Sequence, residues 1–251
     1  HLAINLCTVA ITVGGARELQ ILLSKRGIPT FSRVFLLTGL IPAAAYLEVL
    51  GLVPFAWSAA VPIALVVLVL LRCLWVRDQK DLGDLLLRIA SSLLVLIYPA
   101  VFLSFIVRLT VFENARWVLL FFFSVIFAND IAAYLAGMFL GRRTRLDYVV
   151  SPNKSAVGFA AGILASIAVA LLFRRTVADL LPISFGLTVV FGAAAGILTI
   201  GGDLVESALK RSADVKDSGR IIPGRGGILD SVDSWLLTAP MFYFVFLWIS
   251  R

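Results

Sequence analysis

Histidine, cysteine and charge are all scarce in this sequence of 251 residues. The single histidine is His1, which reads as a trimmed or tag-derived end. The two cysteines, Cys7 and Cys73, lie in apolar runs with no C-x-x-C and no metal-type spacing, so they read as packing residues. Charged residues make up 15% of the chain and hydrophobic ones 61%. A soluble domain carries roughly 25% charged and 45–50% apolar residues, so one soluble core cannot hide this much apolar surface. The net charge of +7 comes without a long basic stripe interleaved with aromatics, which argues against a nucleic-acid partner. A Walker-type G-x-x-x-x-G-K-S/T is missing as well. No internal repeat or low-complexity tract is visible.

What is present is a series of apolar stretches. Eight of them approach the ~20 residues a spanning helix needs. They lie near 2–23, 34–52, 55–75, 89–110, 116–140, 156–173, 180–200 and 234–250. The first carries Arg17 and Glu18 and is the weakest as a span; the fifth holds Asn129 and Asp130 near its middle. The expected fold is all-α: a polytopic membrane protein of about eight transmembrane helices with a cytoplasmic catalytic loop. Residues 1–115 would form N-terminal transmembrane helices and 116–251 a C-terminal catalytic region.

Basic residues orient the chain. The loops at 24–33, 72–88, 141–154 and 203–233 hold three, four, four and five Lys or Arg, and the segments between them hold few. The richer loops belong in the cytoplasm by the positive-inside rule. Both ends of the chain would then face out. One further helix ahead of His1 would return the N-terminus to the cytoplasm. The basic loops would also gather anionic head groups.

Residues 201–233 stand apart, with six of the fifteen acids and five of the twenty-two bases. Asp203 to Ala213 reads as a short amphipathic helix. Ser218 to Gly227 holds four glycines and a proline and reads as a turn-rich loop, with the last helix starting at Ile228. Asp230 and Asp233 are three apart, so on a helix they share a face. Asp217 lies across the glycine loop and can fold back toward them. Carboxylate oxygens are the ligands Mg²⁺ prefers. Gly224, Gly226 and Gly227 would admit a phosphate close to the backbone, at the start of a helix whose dipole favours anions. Lys210, Arg211, Lys216 and Arg225 supply positive charge. An ordinary solvated loop with internally paired charges remains the plain alternative at this point.

The spacing carries a more specific resemblance. Ser207-Ala-Leu-Lys210-Arg211, Lys216-Asp217, Pro223-Gly-Arg-Gly226-Gly227-Ile-Leu-Asp230 and Asp233 resemble the C-terminal motif of the phosphatidate cytidylyltransferase (CDP-diglyceride synthase) family. That pattern runs S-x-x-K-R, four residues, K-D, then P-G-H-G-G, two residues, D-R-x-D. Asn129-Asp130 with Tyr134, Gly137 and Gly141 is similar to the family's N-D-x-x-A-Y helix. Ser151-Pro152-Asn153-Lys154-Ser155 with Gly158 is similar to its S-P-x-K-T/S segment. Together they cover roughly 125–240. Three positions depart: Arg225 replaces a usual histidine, Ser231 a usual arginine, and Val157 a frequent glutamate.

The resemblance implies an Mg²⁺-dependent nucleotidyltransferase of phospholipid biosynthesis, joining CTP to phosphatidic acid and releasing pyrophosphate. It implies Lys210, Arg211, Lys216 and Asp217 as catalytic residues and Asp217, Asp230 and Asp233 as metal ligands, with a second cation an option. It implies substrate contacts from Asn129, Asp130, Ser151, Asn153, Lys154, Ser207, Arg225, Gly226 and Gly227. Ser151, Asn153 and Lys154 are expected to begin a helix, with Pro152 in its first turn. Asp130, an acid in mid-span, is a functional candidate on physical grounds alone. Expected partners are CTP, phosphatidic acid and the bilayer, with a homodimer as the family's common arrangement. The expected location is a bacterial inner membrane, with the active loop on the cytoplasmic side. Two rivals are a CTP-dependent lipid or polyprenol kinase and a transporter whose interior glycines (Gly158, Gly162, Gly192, Gly196) line a path. Small residues in spanning helices more often serve packing.

Overall fold

The computed structural model is dominated by α-helices and describes residues 2–76, 79–146, 148–177 and 180–250. The helices are α1 (Leu2–Lys25), α2 (Val34–Leu37), α3 (Leu40–Val49), α4 (Phe55–Leu71), α5 (Gln79–Gly83), α6 (Leu85–Arg108), α7 (Ala115–Leu140), α8 (Ala156–Thr176), α9 (Phe185–Ser212) and α10 (Leu229–Ile249). Among the described residues, β-pairing is confined to two isolated bridges, Arg145 with Ser155 and Ile222 with Gly226.

Among the described residues, seven helices are long and apolar enough to cross a bilayer. The chain is a polytopic membrane protein. The second expected stretch, 34–52, forms α2 and α3 instead of one span. Val34–Val49 would rise only about 24 Å at 1.5 Å per residue, short of the ~30 Å hydrocarbon core. The break falls at Thr38 and Gly39, where a Cβ on Gly39 would meet Val13 at 3.0 Å, so close approach to α1 uses the glycine.

The chain divides into two compact units. The first comprises residues 1–108 and 212–232. Here α6 packs against α1, α3 and α4. More than half of α6's most apolar window is buried, against 17% for α4. Helix α4 turns Trp57, Ile63 and Leu68 outward, as a lipid-facing helix should. One end of this unit holds a buried ion pair. Arg108 Nη2 lies 3.2 Å from Glu48 Oε2, and Arg108 also donates to Ser104 Oγ (2.9 Å) and Ser58 Oγ (3.2 Å). The rings of Phe55 and Phe105 flank the guanidinium. A charge at membrane depth persists only when paired and hydrogen-bonded in this way.

The second unit comprises residues 109–211 and 233–251. Helices α7 and α8 pack closely, and glycines make that possible. A Cβ on Gly158 would meet the Ala133 carbonyl oxygen at 2.9 Å; α9 approaches α8 in the same way, where a Cβ on Gly192 would meet Ile167 Cα at 2.7 Å. An aromatic cluster of Phe121, Phe173, Phe191, Phe242 and Phe246 fills the other end.

Two local expectations are corrected. The span near 180–200 and the separate amphipathic helix from Asp203 are one continuous helix, α9. Its polar end simply extends the apolar rod. Residues 151–154 do not begin a helix. Lys154 N donates to Ser151 O in a turn, and Leu146 N donates to Lys154 O and Ala156 N to Thr144 O, which pins this turn against 144–146. Helix α8 starts at Ala156, with Ser155 as its N-cap accepting from Gly158 N at 3.1 Å.

Candidate active site

In the first unit the segment 217–230 is built around two carboxylates. Pro223 and Gly224 form the centre of a tight turn, with Arg225 N donating to Ile222 O (3.1 Å) and Gly224 at φ +77°. Proline then glycine at the two central positions is the type II pattern, where only the second residue needs positive φ. The turn displays Arg225 outward. Gly226, at φ +100°, could not carry a side chain: a Cβ there would meet Asp230 Oδ2 at 2.6 Å.

Asp230, in the first turn of α10, reaches back. Its Oδ2 accepts from Gly227 N (2.7 Å), Ser218 N (2.8 Å) and Ser218 Oγ (2.9 Å). Glu18, 3% exposed on α1, completes the scaffold. Its two oxygens accept from Ile228 N (2.9 Å) and Leu229 N (2.8 Å), the orphan donors at the start of α10. Ser218 Oγ also lies 2.9 Å from Glu18 Oε2, so one hydroxyl proton serves two carboxylates. Gly219 and Gly227 leave the room that the Glu18 carboxylate occupies.

Asp217 is different. It is exposed, and no hydrogen bond or ion pair among the described residues engages its carboxylate. Lys216, Arg220 and Arg225 are exposed on the same segment. The loop therefore separates two jobs. Asp230, Glu18 and Ser218 hold the backbone, while Asp217 and the cations face outward.

In the second unit three acids come together on three helices. Asp130 on α7 and Asp203 on α9 lie within range of charge repulsion with Asp233 on α10. Lys154 forms an ion pair with Asp203 Oδ2, and Ser207 Oγ donates to Asp203 Oδ1 at 3.3 Å. Asp233 Oδ1 accepts from Ser234 N and Ser234 Oγ. A Cβ on Gly202 would overlap the Asp233 carbonyl oxygen, so α9 and α10 touch beside the acids.

The remaining predicted residues are placed as follows. Asn129 is buried and donates to Ser166 Oγ (3.0 Å) and Gly196 O (3.3 Å), tying α7, α8 and α9 together. Lys210 pairs with the buried Glu206 one turn earlier. Arg211 and Asn153 are exposed, and Ser151 is half-buried in the turn before α8. Gly162 and Gly196 sit against Asn129 and Ser166, so the interior glycines are packing contacts and not the lining of a path.

Among the described residues, no three of His, Cys, Asp and Glu come close enough to hold one metal ion between them. The donor chemistry nonetheless fits a hard divalent cation. Asp130, Asp203 and Asp233 offer only oxygen, and one or two carboxylates with phosphate oxygens suffice for Mg²⁺.

The description "Cytidylyltransferase family" fits residues 1–249 of this chain. The chain belongs to that family. It is 39% identical over 171 residues to the phosphatidate cytidylyltransferase of Thermotoga maritima, a match covering 67% of this chain and 63% of the relative. It is 45% identical over 121 residues to the phosphatidate cytidylyltransferase of Bacillus subtilis, covering 48% of this chain and 44% of the relative. A relative of the same name from Synechocystis is 41% identical over 133 residues, covering 53% and 44%. The chain thus spans about half to two thirds of the length of these relatives.

Within the family motif, two departures acquire a physical meaning. Ser231, at the usual arginine position, donates its hydroxyl to Gly227 O (3.0 Å) and so pins the loop it would otherwise charge. Arg225, at the usual histidine position, remains exposed on its turn. Sequence reasoning passed over Glu18, Asp203 and Ser218. Glu18 had a signal: an acid inside an apolar helix is expensive and needs a partner. Asp203 had only its place on a polar helix face.

Proposed function

We propose that this chain transfers CMP from CTP to phosphatidic acid, giving CDP-diacylglycerol and pyrophosphate. The observation that carries this reading is the 217–230 loop. It has a carboxylate that is exposed and unpartnered among the described residues, and exposed cations, on a backbone whose glycines let Glu18 and Asp230 pack close and hold it. The family membership and the names of the relatives support the same chemistry.

In this reading an oxygen of the lipid phosphate attacks the α-phosphorus of CTP. A new P–O bond forms, and the bond between the α-phosphorus and the bridging oxygen to the β-phosphate breaks, with that electron pair leaving on pyrophosphate. The nucleophile is already an anion, so no strong general base is required. The difficulty is bringing anions together, which fixed cations address by positioning and charge. Lys216 and Arg225 would hold CTP phosphates at the glycine turn of the first unit, and Lys210 and Arg211 would offer phosphate contacts at the end of α9 in the second. Asp233 would offer a carboxylate oxygen to Mg²⁺ from the helix cluster, with phosphate oxygens and water completing the ligands, and Asp217 is available to a cation at the loop. Mg²⁺, when bound, supplies neutralisation of polyphosphate charge. Lys154 would position Asp203. The basic loops support a location in a bacterial inner membrane with the loop on the cytoplasmic side, and a homodimer is the expected assembly.

Purified protein reconstituted with phosphatidic acid, CTP and Mg²⁺ should form a CDP-lipid, with the Thermotoga maritima relative run alongside. No product from this chain while the relative turns over would overturn the substrate assignment.

A further inference from the structure

The first unit also contains a cavity of about 560 Å³. Its lining is Phe31, Leu68, Leu71, Arg72, Trp75, Val76 and Arg88, none of them in the loop or the acid cluster. The volume falls within the roughly 300–1,000 Å³ typical of ligand sites. Its polar side has two guanidinium groups, one at the end of α4 and one in the first turns of α6. Its apolar side is a leucine-and-aromatic wall.

The wall is preformed. Phe31 N donates to Ser92 Oγ (2.8 Å), and Gln20 Nε2 donates to Thr30 Oγ1 (2.8 Å) and Phe31 O (3.2 Å). Ser91 Oγ donates to Pro29 O. These bonds fix the 28–31 segment onto α6 and bury Phe31. Arg72 lies over the Phe31 ring, 5.9 Å from its centre, which holds the guanidinium at the cavity.

The level in the membrane is set by the helices. The lining comes from the end of one candidate span, Phe55–Trp75, and the start of the next, Leu85–Val111. Those ends sit where head groups lie. Trp75 is 69% exposed there, as interfacial tryptophans are. Leu68 and Leu71 are exposed toward the bilayer along the same helix. A basic pocket between spanning helices, opening on an apolar wall, matches one ligand class.

We infer that this cavity binds an anionic glycerophospholipid from the bilayer, its phosphate between Arg72 and Arg88 and one acyl chain along Leu68 and Leu71. Planar guanidinium groups suit phosphate oxygens in pairs. The site is an accessory to the reaction proposed above and does not depend on it.

The test uses the full chain in nanodiscs of phosphatidylcholine with a minor share of phosphatidylglycerol, released for native mass spectrometry. Wild type should retain phosphatidylglycerol about tenfold better than R72Q/R88Q, the scale expected for losing two interfacial cations. L68W keeps both guanidiniums but fills the tail wall, and it should also lose the lipid. Should the double variant fail to fold, R72Q alone, at an exposed position, should still show about a threefold loss. Equal retention by wild type and the arginine variants overturns the proposal. Displacement of the lipid by millimolar inorganic phosphate alone would identify a free-phosphate site and overturn the lipid assignment. Retention of lipid by L68W would overturn the placement of the chain.

Discussion

The glycine loop and the helix-borne acid cluster hold their carboxylates by opposite means. In the loop, Glu18 and Asp230 are surrounded by backbone N–H groups and a serine hydroxyl. In the cluster, Asp203 is held by Lys154 and Ser207 and Asp233 by Ser234, with Asp130 within range of the Asp233 charge. A carboxylate fed by N–H groups is satisfied as it stands and stabilises structure. Carboxylates set near one another keep a cost of charge that a bound cation lowers further. The difference separates acids that hold the loop backbone from acids held by neighbouring side chains on the helices. Asp217 is of neither kind although it sits in the first region.

Substitutions can break or sharpen this division. Asp217→Asn should lower kcat/KM for CDP-lipid formation about 10³-fold, the scale of losing several kcal/mol of charge stabilisation. Its melting temperature should stay put, because the carboxylate makes no hydrogen bond or ion pair among the described residues. Loss of stability would move Asp217 into the scaffold. Asp233→Asn should cost about 10²-fold in rate on the same scale yet raise thermal stability in Mg²⁺-free buffer, since it removes one member of a repelling set. An unchanged or lowered melting temperature would contradict the repulsion. Glu18→Gln places an amide among N–H donors. It should cost about 2 kcal/mol of stability and roughly tenfold in rate, read by thermal melts and turnover. A rate loss with no stability loss would make Glu18 part of the chemistry. Arg225→His should change kcat by no more than about threefold, because the exposed turn accepts either cation or ring without rearranging.

Much of the fold was legible because membrane burial leaves a coarse record. Composition alone required lipid-facing helices, and seven of the eight expected stretches are long helices. The stretch at 34–52 misled because apolarity does not report the break at Gly39, which depends on how closely α1 approaches. The helix start expected at 151–154 was displaced by pairing with 144–146, a contact invisible in local preference. Motif spacing located the loop but did not divide its labour. Asp230 and Asp233 share a helix face by number, yet Asp230 turns back onto Gly227 and Ser218 while Asp233 binds Ser234. Glu18 was visible only as a blemish in the first span. Its partners lie some two hundred residues away, and nothing in the local sequence names them.

The most direct measurement asks which part of CTP the lipid acquires. Reconstituted protein is given phosphatidic acid and Mg²⁺ with CTP labelled at either the α- or the γ-phosphorus. CMP transfer predicts that the α-label appears in the lipid fraction and the γ-label in pyrophosphate. Appearance of the γ-label in the lipid, with CDP released, would mean phosphoryl transfer and would contradict the proposed reaction.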